Sequence, residues 1–158
     1  MFKLTCISLL VVAGLCAQPA VLTTGIVGIA DGQTAQVNVL NPGVQAPALG
    51  VLCSAAVVFV DDTGNVLKSA TFSIPPGQSK SLQLRSDTDL NLTVQGDRRQ
   101  IRAMVASPSF APATPNAAAC RLAPTLEVLD TTSGKTEVVL TQVTAVPGVV
   151  APPAARNP

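Results

Sequence analysis

The chain has 158 residues and a mass of 16.0 kDa, the size of one domain. Hydrophobic residues make up 47% of the chain, which excludes intrinsic disorder, and a formal net charge of +1 gives no electrostatic basis for binding nucleic acid. The absence of His excludes Ser-His-Asp and Cys-His catalysis and His-ligated zinc, and the absence of Trp and Tyr removes the usual stacking platforms for sugars and bases.

The first predicted element is a secretory signal peptide over residues 1–17. Lys3 gives a basic start, and residues 4–16 form an apolar run followed by small residues. This run is too short to cross a bilayer, which takes about 20 residues. We predict cleavage after Ala17, with Ala20 as the alternative.

The cysteines also favour export from the cytosol. Soluble export is favoured over a lipid anchor at Cys16, because Leu15 stands where a lipid-attachment site has Gly, Ala or Ser. Cleavage leaves Cys53 and Cys120, and an even pair in an exported protein predicts one disulfide between them. The alternative is two buried free thiols.

Alternation of polar and apolar residues recurs along the mature chain, and helical periodicity does not. Segments rich in β-branched residues with this period of two are typical of strands with one buried face. The predicted strands cover residues 36–40, 53–61, 66–74, 81–85, 101–105, 126–128 and 136–143.

Turn residues separate these strands. Residues 61–65 and 130–134 each combine Asp with Gly and predict hairpins. We therefore predict an all-β protein: a single antiparallel β-sandwich of about seven or eight strands, in Greek-key or immunoglobulin-like order, over residues 18–145. Residues 146–158 contain four prolines and predict a flexible tail.

One short pattern occurs twice. Residues 29–39 and 74–84 both read Ile-x-x-Gly-Gln-(Thr/Ser)-x-x-apolar-x-apolar. The pattern fits a strand end, a glycine turn and a strand with alternate residues buried. It fits either a duplicated ligand loop or one turn chemistry used twice in a sandwich, and two copies are too few for a repeat array, which favours the second interpretation.

Asp87, Asp89 and Asn91 form the one candidate metal site, because Asp-x-Asp-x-Asn is how a calcium loop begins. An EF-hand loop also needs Gly at its sixth position and Glu at its twelfth, where this chain has Leu92 and Arg98. A calcium site of another kind between strands is the remaining possibility, and a polar turn is the favoured interpretation.

Two further groups of charged residues have simple explanations. Asp61 and Asp62 are neighbours, so on a strand they point to opposite faces and fit a turn better than a catalytic acid pair. The basic cluster of Arg98, Arg99 and Arg102 has no interleaved aromatic residue and predicts a solvated strand edge.

With these residues in view, the chain resembles small exported bacterial proteins of uncharacterised function, over about residues 24–143. The resemblance rests on residues 25–34, 61–68, 76–79, 126–130 and 134–136. It implies a cysteine-bridged sandwich and transfers no catalytic residue. The chain is also loosely similar to immunoglobulin-like surface modules, but it lacks their core Trp and tyrosine corner.

These observations together predict a non-catalytic module of the envelope or extracellular space, periplasmic or secreted, with a binding or structural role. We expect a protein partner, no cofactor, no nucleic acid and no membrane span after signal removal. One alternative is a small-ligand or calcium-binding module at Asp87, Asp89 and Asn91. The other is a hydrolase with an unrecognised carboxylate pair.

Overall fold

The computed structural model describes residues 21–43, 52–94, 96–107, 120–141 and 143–146, the last four as backbone. The predicted signal peptide and residues 147–158 of the predicted tail lie outside the described residues. The described chain contains ten β-strands and no helix. The strands are β1 Val21–Thr24, β2 Val27–Ala30, β3 Gln33–Leu40, β4 Cys53–Asp61, β5 Val66–Ile74, β6 Ser79–Arg85, β7 Arg98–Ala106, β8 Ala123–Asp130, β9 Thr136–Leu140 and β10 Val143–Val146.

Two antiparallel sheets pack face to face, so the predicted β-sandwich is confirmed. Sheet A has the order β10-β1-β7-β4-β5, with β2 also paired to β7, and sheet B has the order β6-β3-β8-β9. β6 returns to lie beside β3, and β7 beside β4, although other strands separate each pair in the chain. Such returns across the sandwich are the feature that defines Greek-key order.

Each predicted strand overlaps a strand of the structure, but one prediction needs correction. Residues 136–143 were expected to form a single strand, but β9 belongs to sheet B and β10 to sheet A. The chain leaves one layer for the other between them. The β-branched composition is continuous across this crossing, so the sequence pattern contains no break that marks it.

β1 and β2 pair with β7 one after the other and together form one interrupted strand of sheet A. The ten strands therefore occupy nine positions in the two sheets. Thr23 pairs with Met104 and Val27 with Ile101, so the interrupted strand has one residue more than β7 over the same length. The extra residue makes a β-bulge. The hydroxyl of Thr24 accepts a hydrogen bond from the Ala103 N–H at 3.0 Å and so satisfies a backbone group that the bulge leaves unpaired.

The core lies between the sheets and is almost entirely aliphatic. Phe59 is its one fully buried aromatic side chain among the described residues, and Phe72 is only partly buried where it packs against the core. Alternate residues of each inner strand supply the core, as the period of two predicts. Its fully buried members include Ile29, Ala35, Val37, Val39, Ala55, Val57, Ile74, Leu84, Ile101, Ala103, Val105 and Leu126.

The repeated pattern forms two equivalent arches, defined as residues 29–41 and 74–86. In each arch a strand of sheet A ends at or just after a buried Ile, with β2 ending at Ala30 and β5 at Ile74. The chain then turns at a glycine, and a strand of sheet B begins. Gly32 and Gly77 have φ of 73° and 72°, a conformation that favours glycine. The pattern therefore encodes a turn between layers.

A local two-fold axis relates the two arches. β3 and β6 pair antiparallel, and the central pair joins Val37 to Leu82, which hold the same place in the two copies of the pattern. The closing hydrogen bonds follow the same symmetry. The Asn41 N–H donates to the Gln78 carbonyl at 2.9 Å, and the Ser86 N–H donates to the Gln33 carbonyl at 3.0 Å.

Candidate functional site

The candidate calcium residues lie in the turn after β6, where Asp89 already has a cationic partner. Lys68 Nζ lies 2.8 and 2.7 Å from the two carboxylate oxygens of Asp89. The Arg85 N–H donates to Asp89 Oδ2 at 2.7 Å. The ammonium thus occupies the position in which a cation would be bound, and Asp89 anchors this turn to β5.

Asp87 and Asn91 have different surroundings. Asp87 accepts a hydrogen bond from the Thr88 N–H at 2.7 Å, which is the main cause of a lowered pKa for this exposed carboxylate. Asn91 adopts φ of 55°, as a residue in a tight turn does. The described residues contain no group of three or more His, Cys, Asp and Glu placed to hold a metal. Calcium binding here stays a prediction, and it would require displacement of Lys68.

Asp61 closes the β4–β5 hairpin. Its Oδ1 accepts hydrogen bonds from the Thr63 hydroxyl at 2.7 Å, the Thr63 N–H at 3.0 Å and the Asn65 N–H at 2.8 Å. These donors, led by the Thr63 hydroxyl, lower the pKa of Asp61 to about 2. Its neighbour Asp62 is exposed. The turn interpretation therefore accounts for Asp61, and its carboxylate is committed to the hairpin.

Asp130 plays the same part in the β8–β9 hairpin. It accepts from the Ser133 hydroxyl at 2.7 Å and from the Ser133 N–H at 2.6 Å, and both interactions lower its pKa. Both predicted hairpins are confirmed. The hydrolase alternative loses Asp61, one member of the Asp61–Asp62 pair, because this carboxylate is used to close a turn.

The predicted disulfide joins Cys53 and Cys120, with 5.7 Å between their Cα atoms. Both residues are buried. Cys53 begins β4 in sheet A, and Cys120 lies just before β8 in sheet B, so the bond ties the two layers together. Its 67-residue separation gives about 4 kcal/mol of stabilisation in the loop-entropy model.

The basic cluster lies on β7, which is an internal strand of sheet A for most of its length but is paired only to β2 over residues 98–100. Arg98 and Arg99 are exposed because this end of β7 pairs with β2 and extends beyond its ladder with β4. Arg102 pairs with Val60 inside the sheet and is half-buried. The sequence predicted exposure correctly for two of the three arginines, but it contained no information on strand order.

Sequence reasoning missed the surface features of sheet B. Its outward face carries a hydrogen-bonded row of polar side chains across three strands. Gln83 Nε2 donates to Gln36 Oε1 at 2.7 Å, Gln36 Nε2 to Asn38 Oδ1 at 2.8 Å, and Asn38 Nδ2 to Glu127 Oε1 at 3.2 Å. Each of these residues appears in the sequence as the polar half of an alternating strand, and only the register brings them together.

The edges of sheet B differ in charge. β6, at one edge, contains Lys80 and Arg85 and no carboxylate. β9, at the other, contains Glu137 and no basic residue, and it exposes 37% of Val138 and 51% of Val139. The β9 edge, meaning the side of Thr136–Leu140 away from β8, has no strand paired to it among the described residues. The adjacent pair of valines was the only signal of this edge in the sequence.

Comparisons with protein-family models, with curated proteins and with solved structures found no match to this chain. In the part of the chain that the structure describes, no helix has the length and apolar character needed to cross a bilayer.

Proposed function

We propose that the protein is a non-catalytic module exported to the bacterial envelope or the extracellular space, where it binds another protein or has a structural role. The observation that carries the proposal is the Cys53–Cys120 bond between the two layers of the sandwich. A bond of this kind persists in oxidising compartments. The basic and apolar N-terminal segment and the resemblance to small exported bacterial proteins support the same assignment.

The non-catalytic part of the proposal rests on how the polar groups are used. Asp61 and Asp130 close hairpins, and Asp89 pairs with Lys68. The chain has no His to act as a general base near neutral pH. This leaves the surfaces of the sandwich, and its edges in particular, as the parts available for function.

Export is tested by expressing the full chain in a bacterium and sequencing the N-terminus of the mature protein. We expect a free N-terminus at Gln18 and two cysteines that resist alkylation until a reductant is added. The matched control, Leu10→Arg, interrupts the apolar run and should retain the uncleaved chain in the cytosol with alkylatable thiols. An uncleaved wild-type chain with alkylatable Cys53 and Cys120 would overturn the proposal.

Titration of the mature protein with calcium distinguishes the calcium-binding alternative from the proposed function. Because Lys68 already neutralises Asp89, we expect no heat of binding and an unchanged Tm. A rise in Tm that disappears in Asp89→Asn would favour the calcium-binding module instead.

A further inference from the structure

The two edges of sheet B are complementary in strand direction. The order β6-β3-β8-β9 is antiparallel at each step, so β6 and β9 run in opposite directions. A second copy placed beside the first in the same orientation would therefore bring its β6 antiparallel to β9. The sheet would continue without a change of pattern, and the inner face of each copy would stay on the same side.

The two edges are also complementary in charge. On the β9 side, β8 and β9 contain the carboxylates of Glu127, Asp130 and Glu137 and no Lys or Arg. On the opposite side, β5 and β6 contain Lys68, Lys80 and Arg85 and no carboxylate. Within these strands the charges are positive on the β6 side and negative on the β9 side, while exposed Lys135, which directly precedes β9, adds a positive charge at one end of the β9 edge.

The exposed members of these sets are Lys80, Arg85 and Glu137. Of these three, only Arg85 lies beside an oppositely charged group in the described chain. Lys68 pairs with Asp89, and Arg85 lies 4.0 Å from Asp87, so neither has its full charge available to another molecule. Lys80 is exposed and has no carboxylate within 4.0 Å in the described chain. Glu137 is exposed and contacts an uncharged group, the side-chain amide of Gln33.

The apolar contribution comes from β9. Val138 and Val139 lie on opposite faces of the strand, and both are exposed. A strand added at this edge would cover part of each valine and satisfy the backbone groups of β9 that no described strand pairs with. Pairing of β9 with β9, or of β6 with β6, would instead oppose like charges, which is unfavourable across adjacent strands.

We propose that the protein associates with itself head to tail, with the β9 edge of one copy against the β6 edge of the next. Such a contact is heterologous, so it leaves a free edge at each end and allows chains of more than two copies. The inference rests on the proposed function, since it specifies the structural role and identifies the partner as a second copy of this chain.

The test is sedimentation velocity of the full chain, produced with its own N-terminal segment, from about 10 µM to about 1 mM, where small interfaces associate. The weight-average mass should rise with concentration. It should fall when the salt is raised to about 0.5 M, because salt screens charges at exposed edges. Lys80→Glu and Glu137→Lys should each weaken association about five- to tenfold, since each replaces an opposite-charge contact by a like-charge one.

Charge exchange makes the test specific. A mixture of the Lys80→Glu and Glu137→Lys proteins should form pairs, because each supplies the edge that the other needs. The double variant Lys80→Glu/Glu137→Lys should recover wild-type association. The control is Arg99→Glu, an equal change of charge at an exposed residue of sheet A, which should leave association unchanged.

Three results would overturn the inference: a monomer at every concentration, failure of the double variant to recover, or an Arg99→Glu effect equal to that of Lys80→Glu. Any of these leaves the export experiment untouched, so failure of the self-association is distinguishable from failure of the proposed function. Circular dichroism of each variant separates loss of association from loss of fold.

Discussion

The two arches share a sequence pattern, a glycine turn and a closing hydrogen bond, yet they differ in what lies beside them. β3, in the first arch, is flanked by β6 and β8, whereas β6, in the second, has β3 on one side only among the described strands. The difference shows at one pair of equivalent positions. Ala35 is fully buried and pairs with Val128, and its counterpart Lys80 is exposed.

The local sequence pattern therefore specifies the turn. Whether a side chain at an equivalent position is buried depends on whether its strand has a neighbour on both sides. Lys80 pairs with Val39, so its register places it on the inward face of an edge strand. Lys68 on β5 has the same placement at the edge of sheet A, where it pairs with Phe59. Inward-pointing charges on edge strands oppose indiscriminate sheet extension, so any strand that adds at β6 must supply a counter-charge.

The largest expected effect comes from exchanging the two equivalent residues. Ala35→Lys would bury an unpaired ammonium between β6 and β8 and should reduce the free energy of unfolding by about 5 kcal/mol. Lys80→Ala, at the exposed counterpart, should change it by no more than about 0.5 kcal/mol. Urea denaturation of both variants measures the difference, and equal effects would contradict the assigned asymmetry of the arches.

The second largest effect is expected from the disulfide. It marks a difference between the two arches, because the strand that follows the first arch begins at a disulfide cysteine and the strand that follows the second does not. β4 begins at Cys53 and β7, the corresponding strand, begins at Arg98. Replacing Cys53 and Cys120 together by Ala should reduce the free energy of unfolding by about 4 kcal/mol, since the unfolded chain gains the freedom of a 67-residue loop. Arg98→Ala is the matched control and should cost less than about 1 kcal/mol. A double-alanine variant as stable as the wild type would contradict the structural role of the bond.

The buried polar residues that directly follow β3 and β6, Asn41 and Ser86, provide a smaller effect. The Asn41 amide donates to the Ile74 carbonyl at 2.9 Å and accepts from the Gly43 N–H at 3.2 Å, whereas the Ser86 hydroxyl accepts from the Gln33 N–H at 3.2 Å. We expect Asn41→Ala to cost about 2 kcal/mol and Ser86→Ala about 1 kcal/mol in thermal unfolding. The reverse order would show that the first arch is not the more tightly closed of the two.

The hairpin that follows β4 adds a dependence on pH. Asp61 has its pKa lowered from the ordinary 3.8 to about 2, so its carboxylate stabilises the folded protein above pH 3.8. This contribution is lost as the pH falls towards 2, where the folded state also takes up the proton. Asp61→Asn should therefore be less stable than wild type at neutral pH, and the two unfolding curves should converge near pH 2.

The exposed neighbour Asp62 supplies the control for this measurement. Asp62→Asn keeps the hydrogen bonds of Asp61 and should follow the wild-type curve. Parallel stability curves for Asp61→Asn and wild type between pH 4 and pH 2 would show that the hairpin does not depend on the charge of Asp61.

Much of the local structure was predictable from residues close in sequence. The period of two gave the inward faces of β4 and β7, and Asp with Gly gave both hairpins, because these signals act over two to five residues. The crossing between β9 and β10 was not predictable, since their β-branched residues suit either sheet. Neither was the bulge at Thr24, whose hydroxyl bonds to Ala103, far away in the chain.

The candidate site shows the same division. Asp87, Asp89 and Asn91 have the spacing of a metal loop, but Asp89 forms a salt bridge with Lys68, which belongs to another strand. The β9 edge was not predictable, because the residues of a strand do not specify whether it has one neighbouring strand or two. Charge separation between β6 and β9 becomes visible only when the strand order is known.

By itself, the sequence determined that this chain forms strands, where it turns and which residues of each strand face inward, because backbone preference and hydrophobic period are local properties. The tertiary structure decided which strands are neighbours, which strands lie at the edges of the two described sheets and which charged groups meet. Those outcomes depend on contacts between residues far apart in the chain, where sheet register and layer packing select one arrangement among many that suit the same local pattern.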